Sequence, residues 1–166
     1  MIIYSEYKDI YHSAYRIISI LNIINSEIEY NKLRIIDFFL VFPSLVNEIS
    51  FPRQRGMSQL KNYASANFDT YEILPEKKQL FFEISPYQLQ AVKILKAKGI
   101  INESDSTIYY NTDLKSESID KLLHFSKYTS NNFYVKLIKT LFNIEYFGSD
   151  GLKKRSGLLE YKYDAI

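Results

Sequence analysis

Acid–base, nucleophilic and metal chemistry draw on histidine, cysteine and clustered carboxylates. This sequence supplies few of them, in spacings that do not converge. Its 166 residues include two histidines and no cysteine. His12 and His124 stand far apart, each without a second imidazole nearby, and read as surface or boundary side chains rather than ligands or bases. Serines are plentiful, but no Gly-x-Ser-x-Gly turn is present to raise one as a nucleophile. The glycines Gly56, Gly99, Gly148, Gly151 and Gly157 do not make the spaced loop that cradles a phosphate. Glu103 and Asp105 are close together, but in a stretch that reads as a hairpin turn, where acidic residues are ordinary. The expectation is a chain with no catalytic residues, no metal site and no cofactor.

Cations offer more. Lys93 and Lys96 are three apart and would share a helix face, with Lys98 at its end; Gln88 and Gln90 precede them. Lysines attract phosphate without discriminating sequence, so this face suits non-specific contact with DNA or simple solvation. Arg53 and Arg55 lie in a connection marked by Pro52 and Gly56. A guanidinium fork there would match phosphate or carboxylate. Lys153, Lys154 and Arg155 form a second basic cluster. Arg34 and Asp37, also three apart, would share a helix face and pair; the expectation is that both are at least partly buried and joined. Tyr109, Tyr110, Tyr161 and Tyr163 are candidate partner contacts.

The elements that must position these groups are mainly helical. The hub is Leu33–Pro43, apolar except for Arg34 and Asp37. A helix that is apolar all round must be enclosed, and Pro43 should stop it at Phe42. It is too short to cross a bilayer, which takes about 20 apolar residues. Before it, 7–25 reads as a helix with Ile10, Ala14, Ile17, Ile18, Leu21 and Ile24 on one stripe. Residues 26–31 read as a polar break, with Asn31 as cap. A helical turn resumes through Leu45, Val46 and Ile49. Then come a helix over 57–67 with Leu60, Tyr63 and Ala64 inward, and a brief strand over 69–74. A helix over 75–84 follows, then a third over 85–98 opened by Ser85 and Pro86, packing through Leu89, Val92 and Leu95. Gly99 ends that helix, and a hairpin runs from Ile100 to Asn111. Glu117–Lys127 reads as a helix with Ile119, Leu122 and Leu123 inward. A longer one, capped by Thr129 or Ser130, runs to Phe147. A basic loop begins at Ser149, and the tail from Leu158 could add an edge strand.

Length favours one domain. Its parts are an N-terminal helical part (1–50), a winged-helix part (57–111), C-terminal helices (117–148) and a basic loop with tail (149–166). The fold class is mainly α, a winged helix-turn-helix with a small β-hairpin wing plus flanking N- and C-terminal helices. A formal charge of +2 excludes a molecule that is a strong polyanion binder as a whole. The 15 tyrosines and 11 phenylalanines read first as core filling. Met1–Glu6 has no basic region before an apolar run, so no signal peptide is expected. The lack of cysteine suits a reducing cytoplasm.

The stretch Leu33-Arg34-Ile35-Ile36-Asp37-Phe38-Phe39-Leu40-Val41-Phe42-Pro43 resembles the core of the small middle components of bacterial ABC three-component systems. That group includes the C subunit of Lamassu-type anti-phage defence. Gln90–Ile101, the helix entering the wing, is a second match, and overall length agrees. The resemblance implies a non-catalytic adaptor. It would bind an SMC- or Rad50-like ATPase and connect it to an effector, often a nuclease, with DNA within the complex and no membrane involved. It brings no catalytic residues with it. The alternative reading of the residues is a free-standing winged-helix DNA-binding transcription regulator, carried by Lys93, Lys96 and Lys98.

Overall fold

Helix α1 (Ile10–Ile24) begins where Asp9 can cap it: the Asp9 carboxylate accepts from the Tyr11 amide at 2.7 Å and the His12 amide at 3.0 Å. Residues 5–53, 56–68, 73–114 and 116–159 are described by this computed structural model. A 3-10 turn, Glu6–Lys8, precedes the helix, so the helix starts at Ile10, the first residue of its apolar stripe, and not at residue 7 as expected. Asn25, left-handed at φ 46°, closes it. Ala14, Ile17, Ile18 and Leu21 are buried as the spacing requires, but so are Ser13, Arg16 and Ser19. The helix is therefore enclosed on more than its apolar face.

The expected polar break contains a strand. In β1 (Ile28–Glu29), Ile28 is buried opposite Ile108. Glu29 then caps α2 (Tyr30–Val41) by accepting from the Lys32 amide at 2.9 Å, and Asn31 lies within the helix. Leu33 and every residue from Ile35 to Leu40 are buried, so the hub is enclosed as its composition demands. The helix stops at Phe42, and Pro43–Glu48 forms a 3-10 turn with Val46 inward.

Helix α3 (Met57–Asn67) buries Leu60 and Ala64, while Tyr63 is exposed along its edge and stacks on Phe133 at 4.9 Å. The strand expected over 69–74 lies partly outside the described residues. Ile73 and Leu74 are not strand, and Ile73 is fully exposed.

The two helices expected to meet at Ser85–Pro86 are one, α4 (Lys77–Ala97), with Pro86 inside it. An interior proline removes a helix hydrogen bond and costs about 3 kcal/mol. Here Leu80, Phe81 and Ile84 before it and Gln88, Ala91, Val92 and Leu95 after it bury one continuous face, and that packing carries the helix through. Pro86 itself faces solvent, and Ser85 Oγ donates to the Phe81 carbonyl at 2.8 Å. Leu89, expected inward, is exposed because the uninterrupted register turns it outward.

Gly99, at φ +69°, closes α4 and leads into the hairpin β2 (Ile101–Ser104) and β3 (Thr107–Tyr110). Asp105 and Ser106 both have positive φ, 47° and 70°, the pattern of a two-residue turn that matches strand twist. The antiparallel sheet has the order β1-β3-β2.

The C-terminal helices are shorter than the periodicity suggests, because polar side chains recapture the backbone. Ser116 caps α5 (Glu117–Phe125), Ser126 caps α6 (Lys127–Ser130), and Asn131 caps α7 (Asn132–Phe142). Leu123 is buried and Leu122 is exposed. The chain turns after Asn143 instead of remaining helical to Phe147, and the basic loop holds a short α8 (Leu152–Ser156) anchored by buried Leu152. The tail after Leu159 lies outside the described residues. The fold is thus mainly helical with one small antiparallel sheet, around a single buried core.

Candidate functional site

The most polar place in the interior lies where α1, α2 and α4 meet. Asp37 does not take Arg34. Its Oδ1 accepts from Arg16 Nε at 2.6 Å, and its Oδ2 from Gln88 Nε2 at 2.8 Å and Arg16 Nη2 at 3.3 Å. Arg16 Nη2 also donates to Ser13 Oγ at 2.9 Å. Arg34 turns instead toward α4, donating from Nε to Gln88 Oε1 at 3.2 Å, from Nη2 to Ser85 Oγ, and from Nη1 to Asn31 Oδ1 at 3.0 Å. Its guanidinium lies 4.5 Å from the centre of the Phe81 ring. The two side chains share a helix face, as expected, but each answers to the helix in front of it. Gln88 joins them, donating also to the Arg34 carbonyl at 3.1 Å.

Arg16 is 2% exposed and Asp37 fully buried. Burial alone pulls the Arg16 pKa down, and the charge and hydrogen bond of Asp37 more than offset it, so its net direction is up. Burial moves Arg34 the other way. Among the described residues no buried side-chain nitrogen or oxygen lacks a partner. This network fixes three helices against one another; its one carboxylate is already engaged by Arg16 and Gln88.

The cationic candidates fall in two places. Lys93, Lys96 and Lys98 are exposed at the C-terminal end of α4, and Lys96 is held by Glu103 of the hairpin. At the other cluster, Lys154 is exposed and Lys153 half-buried. Arg155 is occupied: Nη1 donates to the Ser50 carbonyl at 2.6 Å and Nη2 to Asp150 Oδ1 at 2.9 Å. It fastens α8 to the loop that carries exposed Arg53. Arg55 lies outside the described residues.

Of the tyrosine candidates, Tyr109 is 36% exposed and Tyr110 half-buried, on β3 beside a shallow cavity of about 510 Å³ shared with Asn25, Glu27 and Thr112. Tyr161 and Tyr163 lie outside the described residues. A second cleft, about 520 Å³, is lined by Tyr7, Arg16, Phe42, Phe68, Tyr128 and Tyr134. His12 is half-buried, and His124 is exposed with its ring 5.0 Å from that of Phe125. Among the described residues no three His, Asp or Glu side chains gather as a metal site would require. No helix there is long and apolar enough to cross a membrane.

The sequence reading missed an exposed apolar stripe on α4. Phe82 is 69% exposed and Leu89 42%, with exposed Pro86 between them. Their spacing of four and three was legible, but only if the helix was known to continue through Pro86.

No curated protein and no solved structure matches this chain. The family model described as ABC-three component (ABC-3C) system Middle Component 5 matches residues 2–164. With nearly the whole chain covered, this protein belongs to that family of middle components, whose systems are assemblies of several components.

Proposed function

We propose that this chain is a non-catalytic adaptor of an anti-phage defence complex of Lamassu type, bridging an SMC- or Rad50-like ATPase and an effector nuclease in the cytoplasm. The observation that carries the reading is membership of the middle-component family over residues 2–164. The interior supports it. The buried polar groups Arg16, Asp37 and Gln88 are spent on holding helices together, as a rigid connector requires. Exposed Phe82, Leu89, Phe125 and Phe147 supply the kind of side chain that anchors protein interfaces.

The same reading takes the frame as a winged helix, assembled differently from the sequence expectation. What supports this is the sheet order β1-β3-β2, with β1 between α1 and α2 and with α4 leading into the hairpin. Residues 42–76 are inserted between α2 and α4, where the turn would be.

Co-expression with the gene products encoded beside it, followed by size-exclusion chromatography with light scattering, tests the adaptor. Co-elution with a coiled-coil ATPase is expected; a chain that stays monomeric beside its own operon's ATPase overturns the proposal. The alternative, a winged-helix DNA-binding regulator, rests on Lys93 and Lys98 exposed at the end of the helix that enters the hairpin. It requires salt-sensitive duplex binding that weakens in a Lys93→Glu/Lys96→Glu variant, and unchanged binding there counts against it.

A further inference from the structure

Helix α4 presents one outward arc of a single character. At about 100° per residue, Lys78, Phe82, Pro86, Leu89 and Lys93 fall within roughly 80° of one another. All five are exposed. The apolar middle, Phe82 to Leu89, spans about 10 Å, and the lysines stand roughly 22 Å apart at its ends. Lys96 falls on the same arc, bound to Glu103. The helix's acidic residue in this region, Glu83, lies off the arc, where it meets Lys8 Nζ at 3.3 Å. Pro86 has no N–H, so the Phe82 carbonyl lacks the donor that a helix would supply four residues on. The arc is thus an apolar ridge with an exposed lysine at each end, no carboxylate among its own residues, Glu103 of the hairpin against Lys96, and a main-chain acceptor.

We propose that this arc is the docking site for an amphipathic helix of a partner subunit, with an apolar seam seated on Phe82 and Leu89 and Asp or Glu side chains at both ends. The inference rests on the adaptor reading and adds to it the place and the partner's chemistry. Charge selects this occupant. A second copy laid antiparallel would set Lys78 against the other copy's Lys93 at both ends; laid parallel, each lysine would meet itself. Both arrangements press like charges together. A nucleic acid would offer phosphates along the whole length, yet the middle 10 Å or so of the arc carries no donor. A helix with an apolar middle and anionic ends satisfies every part, packing helix against helix with the ridge of α4 in its side-chain groove.

The experiment uses the full chain co-expressed with each neighbouring gene product. Three forms are compared: wild type, Phe82→Asp/Leu89→Asp and Lys78→Glu/Lys93→Glu. Unchanged melting temperatures confirm that the variants fold. A photo-crosslinking amino acid at position 89 identifies the segment that sits there. The expected result is a complex weakened roughly tenfold or more by either double variant, and a crosslink to an apolar segment flanked by acidic residues. Full-strength complexes with both variants would overturn this inference and leave the adaptor reading standing. Absence of any complex with the wild type would overturn both. Self-association abolished by Phe82→Asp/Leu89→Asp, or duplex binding abolished by Lys78→Glu/Lys93→Glu, would assign the arc to a second copy or to DNA and overturn it as well.

Discussion

Arg16 on α1 and Asp37 on α2 form a buried ion pair, Nε to Oδ1 at 2.6 Å, with side chains 2% and 0% exposed. Desolvating two charges is costly, and the pair is sustained by geometry and by the further hydrogen bonds of Ser13 and Gln88. Removing one partner strands the other. Asp37→Ala or Arg16→Met alone is expected to lower unfolding free energy by about 3–5 kcal/mol. The double variant Arg16→Met/Asp37→Leu is expected to cost clearly less than the two singles together. Urea denaturation of the four proteins measures the coupling; simple additivity would mean the pair contributes little as a unit.

Gln88 links Asp37 to Arg34, and its neutrality matters. Gln88→Glu would place a carboxyl where an amide now donates to Asp37 Oδ2 at 2.8 Å. Burial and the Asp37 carboxylate raise the pKa of the new group in the folded chain, against the opposing pull of Arg34 Nε, 3.2 Å from the oxygen at this position. The penalty is therefore present at neutral pH and relieved as pH falls through that raised value, where the protonated carboxyl can donate again. Melting temperatures from pH 7 down to about 5 should converge on wild type; a gap that stays constant would show that charge is not the cause.

Buried tyrosines set the alkaline limit. Burial pushes the phenols of Tyr128 and Tyr134 up, with Arg16 drawing Tyr128 partly back. In the unfolded chain they deprotonate near pH 10, about the usual tyrosine value; the folded chain holds these protons to higher pH. Their contribution to stability is complete below that pH and is lost as pH rises through the folded values. Tyr128→Phe is expected to flatten the fall in unfolding free energy above pH 10 by up to about 1.4 kcal/mol per pH unit. Denaturant titrations across that window test it, and an unchanged slope would place the loss elsewhere.

Gly151 is needed for space, Gly148 for conformation. The chain doubles back here, with the Leu152 amide donating to the Glu145 carbonyl at 2.7 Å and the Lys153 amide to the Tyr146 carbonyl at 3.2 Å. A Cβ on Gly151 would lie 2.6 Å from the Tyr146 carbonyl oxygen and closer still to that of Phe147. Gly151→Ala is expected to cost about 3 kcal/mol or more. Gly148, at φ +96° with open space around it, should cost roughly 1–2 kcal/mol as alanine, from backbone strain. Thermal melts of the two variants should rank in that order.

Local chemistry was enough for much of this molecule. An all-apolar α2 had to be enclosed, Pro43 had to end it, Gly99 had to end α4, and a hairpin had to follow, because each depends on a few adjacent residues. The resemblance to middle components was legible in Leu33–Pro43 and Gln90–Ile101, and the family model covers residues 2–164. Tertiary structure alone decided three things. It chose Arg16 over Arg34 for Asp37, since spacing says which side chains share a face but not what stands opposite. It carried α4 through Pro86, because burial on both sides outweighs one lost hydrogen bond. By that continuity it turned Phe82 and Leu89 outward, so a pattern that reads along the chain as core became surface.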